Sequence, residues 1–375
     1  MIYFDNAATS LPKPQNVSKE ICDAINTLGN PSRGGHSFAL NASRKLYTCR
    51  EKIARLFCLN NPLNVGFTKN STESLNIAIN SCFSKSDAVI TTVYEHNSVI
   101  RPLYKLGCKV DIVGLDNQCL RYSEFENYIT SETKGVIVNH ASNVTGDLID
   151  IKKISSICKE HGLILIIDAS QSAGLIDINI EELGADILCF TGHKGLWGPQ
   201  GTGGICLNSN ITLEPFIVGG SGSNTFSREY PIDLPDISEA GTQNVHSICG
   251  LSAGIDFILE TGINEIRKRE LGLMWKFYNG IKDLDGIKIY GNFDTCERTP
   301  IVSLNIRDYD SQDIGHELEQ KFGIAVRGGA HCAPLLHEAL GTRYQGAVRF
   351  SFSYFNTDEE IEIGIDAIKS LSKLT

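Results

Sequence analysis

Short apolar runs alternate with amphipathic segments between about residues 65 and 210. Six of these runs predict β-strands, at residues 87–93, 109–113, 135–139, 163–167, 186–190 and 203–207. The run 163–167 is apolar at every position, which is typical of a parallel strand covered on both faces. Intervening segments such as 151–161, followed by Gly162, predict helices. Alternating strands and helices indicate an α/β protein with a mainly parallel sheet.

The pattern changes after residue 210. Residues 218–224 and 231–235 are rich in Gly, Pro and Ser and predict a long loop, which is usually functional or part of an interface. The elements predicted beyond it are a helical stretch at 247–284, a strand at 300–306, and helices at 313–322 and 359–372. We therefore expect a large domain over residues 13–255 and a small α+β domain formed by residues 1–12 and 256–375.

Composition excludes several classes of protein. Of the 375 residues, 42% are apolar and 21% charged, as in an ordinary globular chain. The 34 basic and 44 acidic residues give a net charge of -10, which argues against a nucleic-acid or anionic-membrane binder. No apolar run is long enough to span a membrane, and the first residues do not resemble a signal peptide. Twelve scattered cysteines without a C-x-x-C pair predict free thiols in a reducing cytoplasm and no metal site.

The strongest chemical signal is Lys194, which lies four residues beyond a predicted buried strand in a Gly-rich turn beside His193. Lysine amines that are desolvated or close to other cations become nucleophiles and form Schiff bases with pyridoxal phosphate. A solvated loop lysine is equally consistent with this turn taken alone.

Asp168 directly follows the apolar run, so its carboxylate is predicted at the carboxyl end of the sheet, where ligands of α/β proteins bind. A pyridoxal ring requires such an acid at its pyridinium nitrogen. Gln171 is close enough in sequence to reach the ring hydroxyl. A helix-capping aspartate is the alternative.

Residues 68–74 predict the start of a helix, with Asn70 as N-cap and Glu73 in a capping box. Free N–H groups and the positive end of the helix dipole favour a phosphate there, and the hydroxyls of Ser71 and Thr72 add donors. A plain helix start is the alternative. His96, just after another strand, is placed to stack on a planar cofactor or to carry protons, or else makes a structural hydrogen bond.

These motifs together resemble the cysteine desulfurases and selenocysteine lyases, which are class V aminotransferase relatives with the type I fold of pyridoxal-phosphate enzymes. The resemblance extends from Tyr3 to Glu360. Its most specific segments are Thr191-Gly-His-Lys194, Asp168-Ala-Ser-Gln171, His140-Ala-Ser-Asn-Val-Thr-Gly146, Glu239-Ala-Gly-Thr242 and Arg327-Gly-Gly-Ala-His-Cys332. The family implies a mainly parallel seven-stranded sheet in the large domain, and pyridoxal 5′-phosphate as cofactor.

The resemblance implies roles for the cofactor-binding positions. Lys194 resembles the lysine that binds the cofactor, Asp168 the partner of the ring nitrogen, and Gln171 the partner of the ring oxygen. His96 matches the histidine stacked on the ring. The positions that match phosphate ligands are Thr72, Thr191, His193 and, from a second subunit, Thr242. A contact from a second subunit implies a homodimer.

The substrate positions follow in the same way. Asn143, which also lies beside the cofactor, and Arg349 match residues that hold the substrate carboxylate. The other positions that match the substrate pocket are Ala8, His36 and Arg327.

Cys332 matches the nucleophile that takes sulfur from the substrate, as a persulfide, while alanine is released. The reaction requires a thiolate, and Arg327 or His331 is placed to lower the pKa of the thiol. Sixteen residues separate Cys332 from Arg349, which resembles the family branch with a short loop and a need for a sulfur-acceptor protein.

Alternatives remain at this point. A selenocysteine lyase shares the same fold and site. A C–S β-lyase would release pyruvate with no covalent role for Cys332. An isomerase would not need a thiol there, and a non-catalytic binding protein would not need Lys194, Asp168 and Arg349 together.

Overall fold

The structure is a computed structural model that describes residues 1–31, 34–223, 225–295 and 297–373; Asn224, the last residue of one predicted loop segment, lies outside them. The described residues form twelve α-helices: α1 Gln15–Thr27, α2 Ser37–Leu56, α3 Ser71–Cys82, α4 Asn97–Leu106, α5 Glu124–Asn127, α6 Ile151–His161, α7 Ile180–Leu183, α8 Val245–Thr261, α9 Ile263–Ile281, α10 Ser311–Phe322, α11 Pro334–Leu340 and α12 Asp358–Ser372. No helix among them is long and apolar enough to cross a membrane.

The same residues form fourteen strands: β1 Ile2–Tyr3, β2 Val65–Thr68, β3 Ala88–Thr92, β4 Lys109–Val113, β5 Leu115–Asp116, β6 Cys119–Leu120, β7 Thr133–Asn139, β8 Ile164–Asp168, β9 Ile187–Thr191, β10 Gly203–Leu207, β11 Ile287–Tyr290, β12 Ile301–Ile306, β13 Ile324–Ala325 and β14 Val348–Ser351. Seven of them form one sheet in the order β2-β10-β9-β8-β7-β3-β4. Only β10 runs antiparallel to its neighbours. The predicted α/β fold with a mainly parallel seven-stranded sheet is confirmed.

The centre of this sheet determines where its polar residues meet. β8 lies between β7 and β9, and its register places Asp168 opposite Asn139 on one side and Cys189 on the other. Every residue of β9 is buried, as is every residue of β8 except the first. Asp168 therefore leaves the covered part of the sheet at its carboxyl edge, as the sequence pattern predicts.

A smaller antiparallel sheet, β11-β12-β14, packs with α9, α10 and α12, and the N-terminal β1 pairs with β13. The predicted helix over 247–284 is wrong in one respect: it is two helices, because Gly262 ends α8 with a φ of 88°. The apolar residues of α9 divide between two buried clusters, with Ile266 in the first and Leu273 in the second. The domain boundary at residue 255 stays a prediction.

Residues 143–147 are held by a group of hydrogen bonds from the C-terminal part of the chain, which we call the clasp. Arg298 Nη2 donates to the Thr145 carbonyl at 2.6 Å, and Ser303 Oγ donates to the Val144 carbonyl at 2.5 Å. The Thr299 amide donates to the Gly146 carbonyl at 2.7 Å. The Arg298 side chain is fully buried, so the clasp joins the end of the large sheet firmly to the smaller one.

Glu270, in α9, is a buried acid whose Oε1 accepts a 2.9 Å hydrogen bond from the Tyr354 amide. Burial raises the pKa of this carboxyl from 4.5 to about 8. The folded protein therefore holds a proton on Glu270 that the unfolded chain releases, so the stability tied to this proton is lost as pH rises from about 4.5 to about 8. A neutral amide at this position avoids that loss.

We expect the Glu270→Gln variant to gain stability over the native chain with rising pH, by about 2 to 5 kcal/mol between pH 5 and pH 9. Urea unfolding at pH 5, 7 and 9 measures the difference. Glu319→Gln, on the exposed side of α10, is the matched control. A difference that is the same at all three pH values would contradict the buried-acid interpretation.

Candidate active site

A cavity of about 230 Å³ lies at the carboxyl edge of the large sheet. Thirteen predicted site residues line it: Ala8, Ser71, Thr72, His96, Asn143, Asp168, Gln171, Thr191, His193, Lys194, Arg327, Cys332 and Arg349. Seven further residues complete the lining: Ala7, Asn70, Ser98, Asn139, Ala141, Ser170 and His331. Segments far apart in sequence thus meet in one space.

Lys194 follows β9 in a turn whose first hydrogen bond runs from the Trp197 amide to the Lys194 carbonyl, at 3.0 Å. Desolvation lowers the pKa of the Lys194 amine to about 8, and the Asp168 carboxylate, which opposes this, only partly offsets it. A measurable fraction of the amine is therefore neutral at pH 7 to 8. This state is the one that attacks carbonyl carbons and accepts protons.

The Asp168 carboxylate uses its two oxygens differently. Oδ1 accepts hydrogen bonds from Ser71 Oγ at 3.1 Å and from both the amide and the hydroxyl of Ser170, at 2.9 and 2.5 Å. Among the described residues no group donates to Oδ2. A protonated ring nitrogen is a suitable partner for this remaining oxygen.

The His96 ring is fixed and uncharged. As N-cap of α4 it accepts the Ser98 amide at Nδ1, at 3.1 Å, so the proton of the neutral ring is on Nε2. Burial, together with the Lys194 ammonium, lowers the pKa of His96 to about 4. A neutral, immobile imidazole presents a flat apolar face to the cavity.

Hydrogen-bond donors suited to an anion lie where the start of α3 meets the end of β9. Gly203 of β10 pairs with both Thr68 and Thr191, which brings the start of α3 next to the end of β9. A Cβ at Gly203 would lie 2.7 Å from the Asn70 Cα, so only glycine permits this approach. Thr191 Oγ1 and His193 Nδ1 are buried and have no hydrogen-bond partner in the described residues. Unpartnered donors beside a helix N-terminus suit a phosphate.

Gln171 lines the same cavity, and its Nε2 donates to the Ala7 carbonyl at 3.1 Å. In the described residues no group donates to the side-chain oxygen of Gln171, and the hydrogen bond to Ala7 holds the side chain toward the N-terminal segment. The predicted contact of Gln171 with a ring oxygen stays a prediction.

Arg349 and Asn143 form a polar pair at the small-sheet side of the cavity. Arg349 Nη1 donates to the Asn143 carbonyl at 2.8 Å, and Nη2 forms a 2.9 Å ion pair with Asp5. Arg349 Nε and Asn143 Oδ1 are buried without a partner in the described residues. One free donor and one free acceptor match the carboxylate and ammonium of an amino acid.

Cys332 lies at the cavity wall on a constrained stretch of backbone. His331 and Cys332 are consecutive left-handed residues, with φ of 48° and 57°. Their carbonyls accept hydrogen bonds from Asn143 Nδ2 at 2.7 Å and from the Asn97 amide at 2.8 Å. Such a conformation persists only where surrounding contacts hold it, so the exposed Cys332 residue has a fixed backbone position.

Arg327 and His331 were the two residues expected to lower the pKa of the Cys332 thiol, and the structure distinguishes between them. His331 is buried, and its Nε2 lies 2.9 Å from the Ala347 carbonyl. Burial and the nearby Arg349 guanidinium keep the pKa of His331 well below its ordinary value. The ring is therefore neutral and supplies no positive charge to the thiol. Arg327, which also lines the cavity, remains as the predicted cation.

The structure does not place His36 and Thr242 in this cavity. His36 is the N-cap of α2, where its Nδ1 accepts the Ala39 amide at 3.3 Å, so its predicted position in the substrate pocket is not reproduced within one chain. Thr242 lines a separate groove with Ala240, Gln243 and Asn244. Its predicted role belongs to a second subunit and stays a prediction.

Asp5, Ser98 and Ser170 support the site but were not identified from the sequence. Ser170 holds Asp168, Ser98 holds His96, and Asp5 holds Arg349. Ser170 is two residues from Asp168 and Ser98 two residues from His96, which are the local signals available. The Asp5–Arg349 pair joins opposite ends of the chain and has no local signal.

The fold and the cavity define a fold type I pyridoxal-phosphate enzyme. Residues 2–363 match the family model for class-V aminotransferases. The chain belongs to this family, whose members are pyridoxal-phosphate enzymes, and the resemblance identified in the sequence is confirmed.

Curated relatives named probable cysteine desulfurase occur in Methanothermobacter thermautotrophicus and Pyrococcus abyssi. The first is 34% identical over 373 residues, covering 96% of this chain and 92% of the relative. The second is 33% identical over 392 residues, covering 100% and 94%. The apo structure of a cysteine desulfurase from Thermococcus onnurineus superimposes with a TM-score of 0.92, at 32% identity, over 99% of this chain and 94% of that one.

Proposed function

We propose that this chain is a pyridoxal-phosphate-dependent cysteine desulfurase that converts L-cysteine to L-alanine and leaves the sulfur as a persulfide on Cys332. The observation that carries this proposal is the convergence of the Lys194 amine and Cys332 on a single cavity of about 230 Å³. The names of its relatives support the same activity.

The residues present fit the cofactor. Lys194 would bind its aldehyde, Asp168 Oδ2 its ring nitrogen and the flat face of His96 its ring, while Thr191 and His193 supply unpartnered donors for its phosphate. When bound, pyridoxal phosphate supplies an electron sink for charge that develops at the substrate Cα. Ser71 and Ser170 fix Asp168 by saturating its other oxygen.

The remaining steps are assigned to side chains of this protein. Arg349, held by Asp5 and by the Asn143 carbonyl, binds the substrate carboxylate through Nε. Lys194 Nζ takes the Cα proton in its neutral form, which its lowered pKa of about 8 makes available. The Cys332 thiolate attacks the substrate sulfur: a sulfur–sulfur bond forms and the Cβ–S bond breaks. The electron pair of the broken bond stays with Cβ, which takes up a proton, and the proton held by Lys194 Nζ returns to Cα, so that alanine is released.

Product analysis tests this assignment. Purified protein loaded with pyridoxal phosphate is incubated with L-cysteine and a reductant, and alanine, pyruvate and sulfide are quantified. Alanine and sulfide in equal amounts support the proposal. Pyruvate and ammonia would instead identify a C–S β-lyase, and alanine formed only from L-selenocysteine would identify a selenocysteine lyase.

We expect Arg349→Lys to raise the KM for L-cysteine by about ten- to a hundredfold, because an ammonium cannot reproduce the fixed fork of a guanidinium that pairs with two groups at once. Steady-state kinetics with alanine as the measured product give KM and kcat separately. Arg343→Lys, at an exposed ion pair with Glu338, is the control. An unchanged KM would remove Arg349 from the substrate site.

We further propose a cytoplasmic homodimer that passes its sulfur to an acceptor protein. The eleven cysteines in the described residues are all free, as in a reducing compartment. The segment before Thr242 exposes several large apolar side chains, namely Phe216, Ile217, Val218, Phe226 and Ile232. A second copy of the chain would cover these side chains and bring Thr242 to the partner's phosphate site.

A further inference from the structure

Four donors converge on the carbonyl of His193, the residue before Lys194. They are the Ser10 amide at 3.1 Å, Thr9 Oγ1 at 3.1 Å, Ser10 Oγ at 3.2 Å and Lys13 Nζ at 3.2 Å. A carbonyl oxygen has two lone pairs, so these donors compete for it. The Lys13 ammonium therefore donates to a carbonyl that it shares with three other donors. Its other acceptor is the Ser10 hydroxyl, at 2.9 Å.

Lys13 is a partly buried cation without an acidic partner. In the described part of the chain, no carboxylate lies within ion-pair distance of its ammonium. Desolvation alone lowers the pKa of Lys13 to about 8. Keeping a charge away from water without a counter-ion is costly, so a lysine in this position is best accounted for by an anion that binds close by.

The unpartnered donors on the predicted phosphate side of the cavity, Thr191 and His193, carry no positive charge. Thr191 is neutral, and burial, with the ammonium groups of Lys194 and Lys13, lowers the pKa of His193 to about 4, so this ring is neutral as well. Lys13 Nζ donates directly to the His193 carbonyl, so its charge lies next to this residue. A phosphate ester carries a charge of about -1.5 to -2 at neutral pH and requires compensation.

We propose that Lys13 is a positioning residue for the phosphate group of the cofactor: a positive charge that donates to the His193 carbonyl from outside the cavity lining and acts on the phosphate at a distance. This inference rests on the proposed function, since it presumes that pyridoxal phosphate occupies the cavity. Its specific content is that Lys13 acts through charge and on the phosphate alone.

The experiment compares two ligands that differ only in the phosphate, pyridoxal 5′-phosphate and pyridoxal. Dissociation constants are measured by equilibrium dialysis at low and at high salt. The proteins are the native chain, Lys13→Met, Lys13→Gln, which keeps a neutral donor, and Lys13→Arg, which keeps the charge. Lys85→Met, at an exposed lysine, controls for the loss of one charge from the surface.

We expect Lys13→Met and Lys13→Gln to weaken binding of pyridoxal 5′-phosphate by about five- to twentyfold, as for one charge acting over several ångströms in a medium of intermediate dielectric. Binding of pyridoxal should change less than about twofold, since it lacks the charged group. Lys13→Arg should stay close to the native value, and the loss should shrink at high salt.

The other outcomes would contradict either the role of Lys13 or the proposed function. Equal weakening for both ligands, or a native value for Lys13→Gln, would show that Lys13 only holds the Lys194 turn, and the inference would fail. If Lys13→Met does not fold, the comparison of Lys13→Gln with Lys13→Arg decides. A native chain that binds neither ligand would overturn the proposed function itself, whatever the variants do.

Discussion

Alanine formation from L-cysteine should fall by at least about a thousandfold in Lys194→Ala, the largest effect expected for any single change in this protein. The substitution removes both the amine that would bind the cofactor and the base assigned to the Cα proton. No other lysine lines the cavity in the described residues, so no neighbouring amine replaces it. The absorbance of the bound cofactor should change as well, because its attachment to the protein is lost.

The measurement is the single-turnover rate of alanine formation, with the visible absorbance spectrum recorded on the same sample. Lys85→Ala, at an exposed lysine, is the control and should retain the native rate. Near-native alanine formation by Lys194→Ala would show that the amine is not the base. Unchanged absorbance would show that the cofactor binds elsewhere.

Cys332→Ala should reduce alanine formation from L-cysteine by at least about a hundredfold while leaving cofactor absorbance unchanged. The thiol would act only on the substrate sulfur, and among the described residues Cys332 forms no hydrogen bond with Lys194, Asp168 or His96. Without a sulfur acceptor in the cavity the Cβ–S bond has no nucleophile to which its sulfur can be transferred. The two variants are thus expected to separate cofactor attachment from sulfur transfer.

Mass spectrometry after alkylation measures the persulfide directly, as one additional sulfur on the peptide that contains Cys332. Cys22→Ala, at an exposed thiol of α1, should leave both the persulfide and the rate unchanged. If Cys332→Ala still formed alanine at the native rate, another acceptor would be required. If both variants and the native chain formed pyruvate, the enzyme would be a lyase.

Regular patterns in the sequence predicted the strands of the large sheet well. The fully apolar run before Asp168 matches the strand that lies between two neighbours, and Gly162 ends α6 in the left-handed conformation, as expected. The strand β2 was missed because it is only four residues long and contains Gly66. The break between α8 and α9 was missed because a single glycine, Gly262, interrupts an otherwise continuous helical pattern.

The site was less predictable from local pattern than the fold. Asp168, Lys194 and the start of α3 could be proposed individually, because each follows a strand or opens a helix. The ion pair of Asp5 with Arg349 spans 344 positions of the chain and follows only from the tertiary structure. The charge state of His331 depends on its burial, which residue spacing does not reveal, so the sequence left Arg327 and His331 as alternative partners of the Cys332 thiol.

The clasp around residues 143–147 also bears on which molecules enter the site. Arg298, Thr299 and Ser303 would all have to release their carbonyl partners before the C-terminal part of the chain could swing away from the large sheet. The wall of the cavity that Asn143 forms should therefore stay fixed relative to the C-terminal part of the chain during turnover. A free amino acid fits as a whole into a cavity with fixed walls, whereas a cysteine residue within a polypeptide is bonded to further residues on both sides. We expect the enzyme to accept free amino acids and to exclude cysteine residues within polypeptides by size, before any chemical recognition of the sulfur.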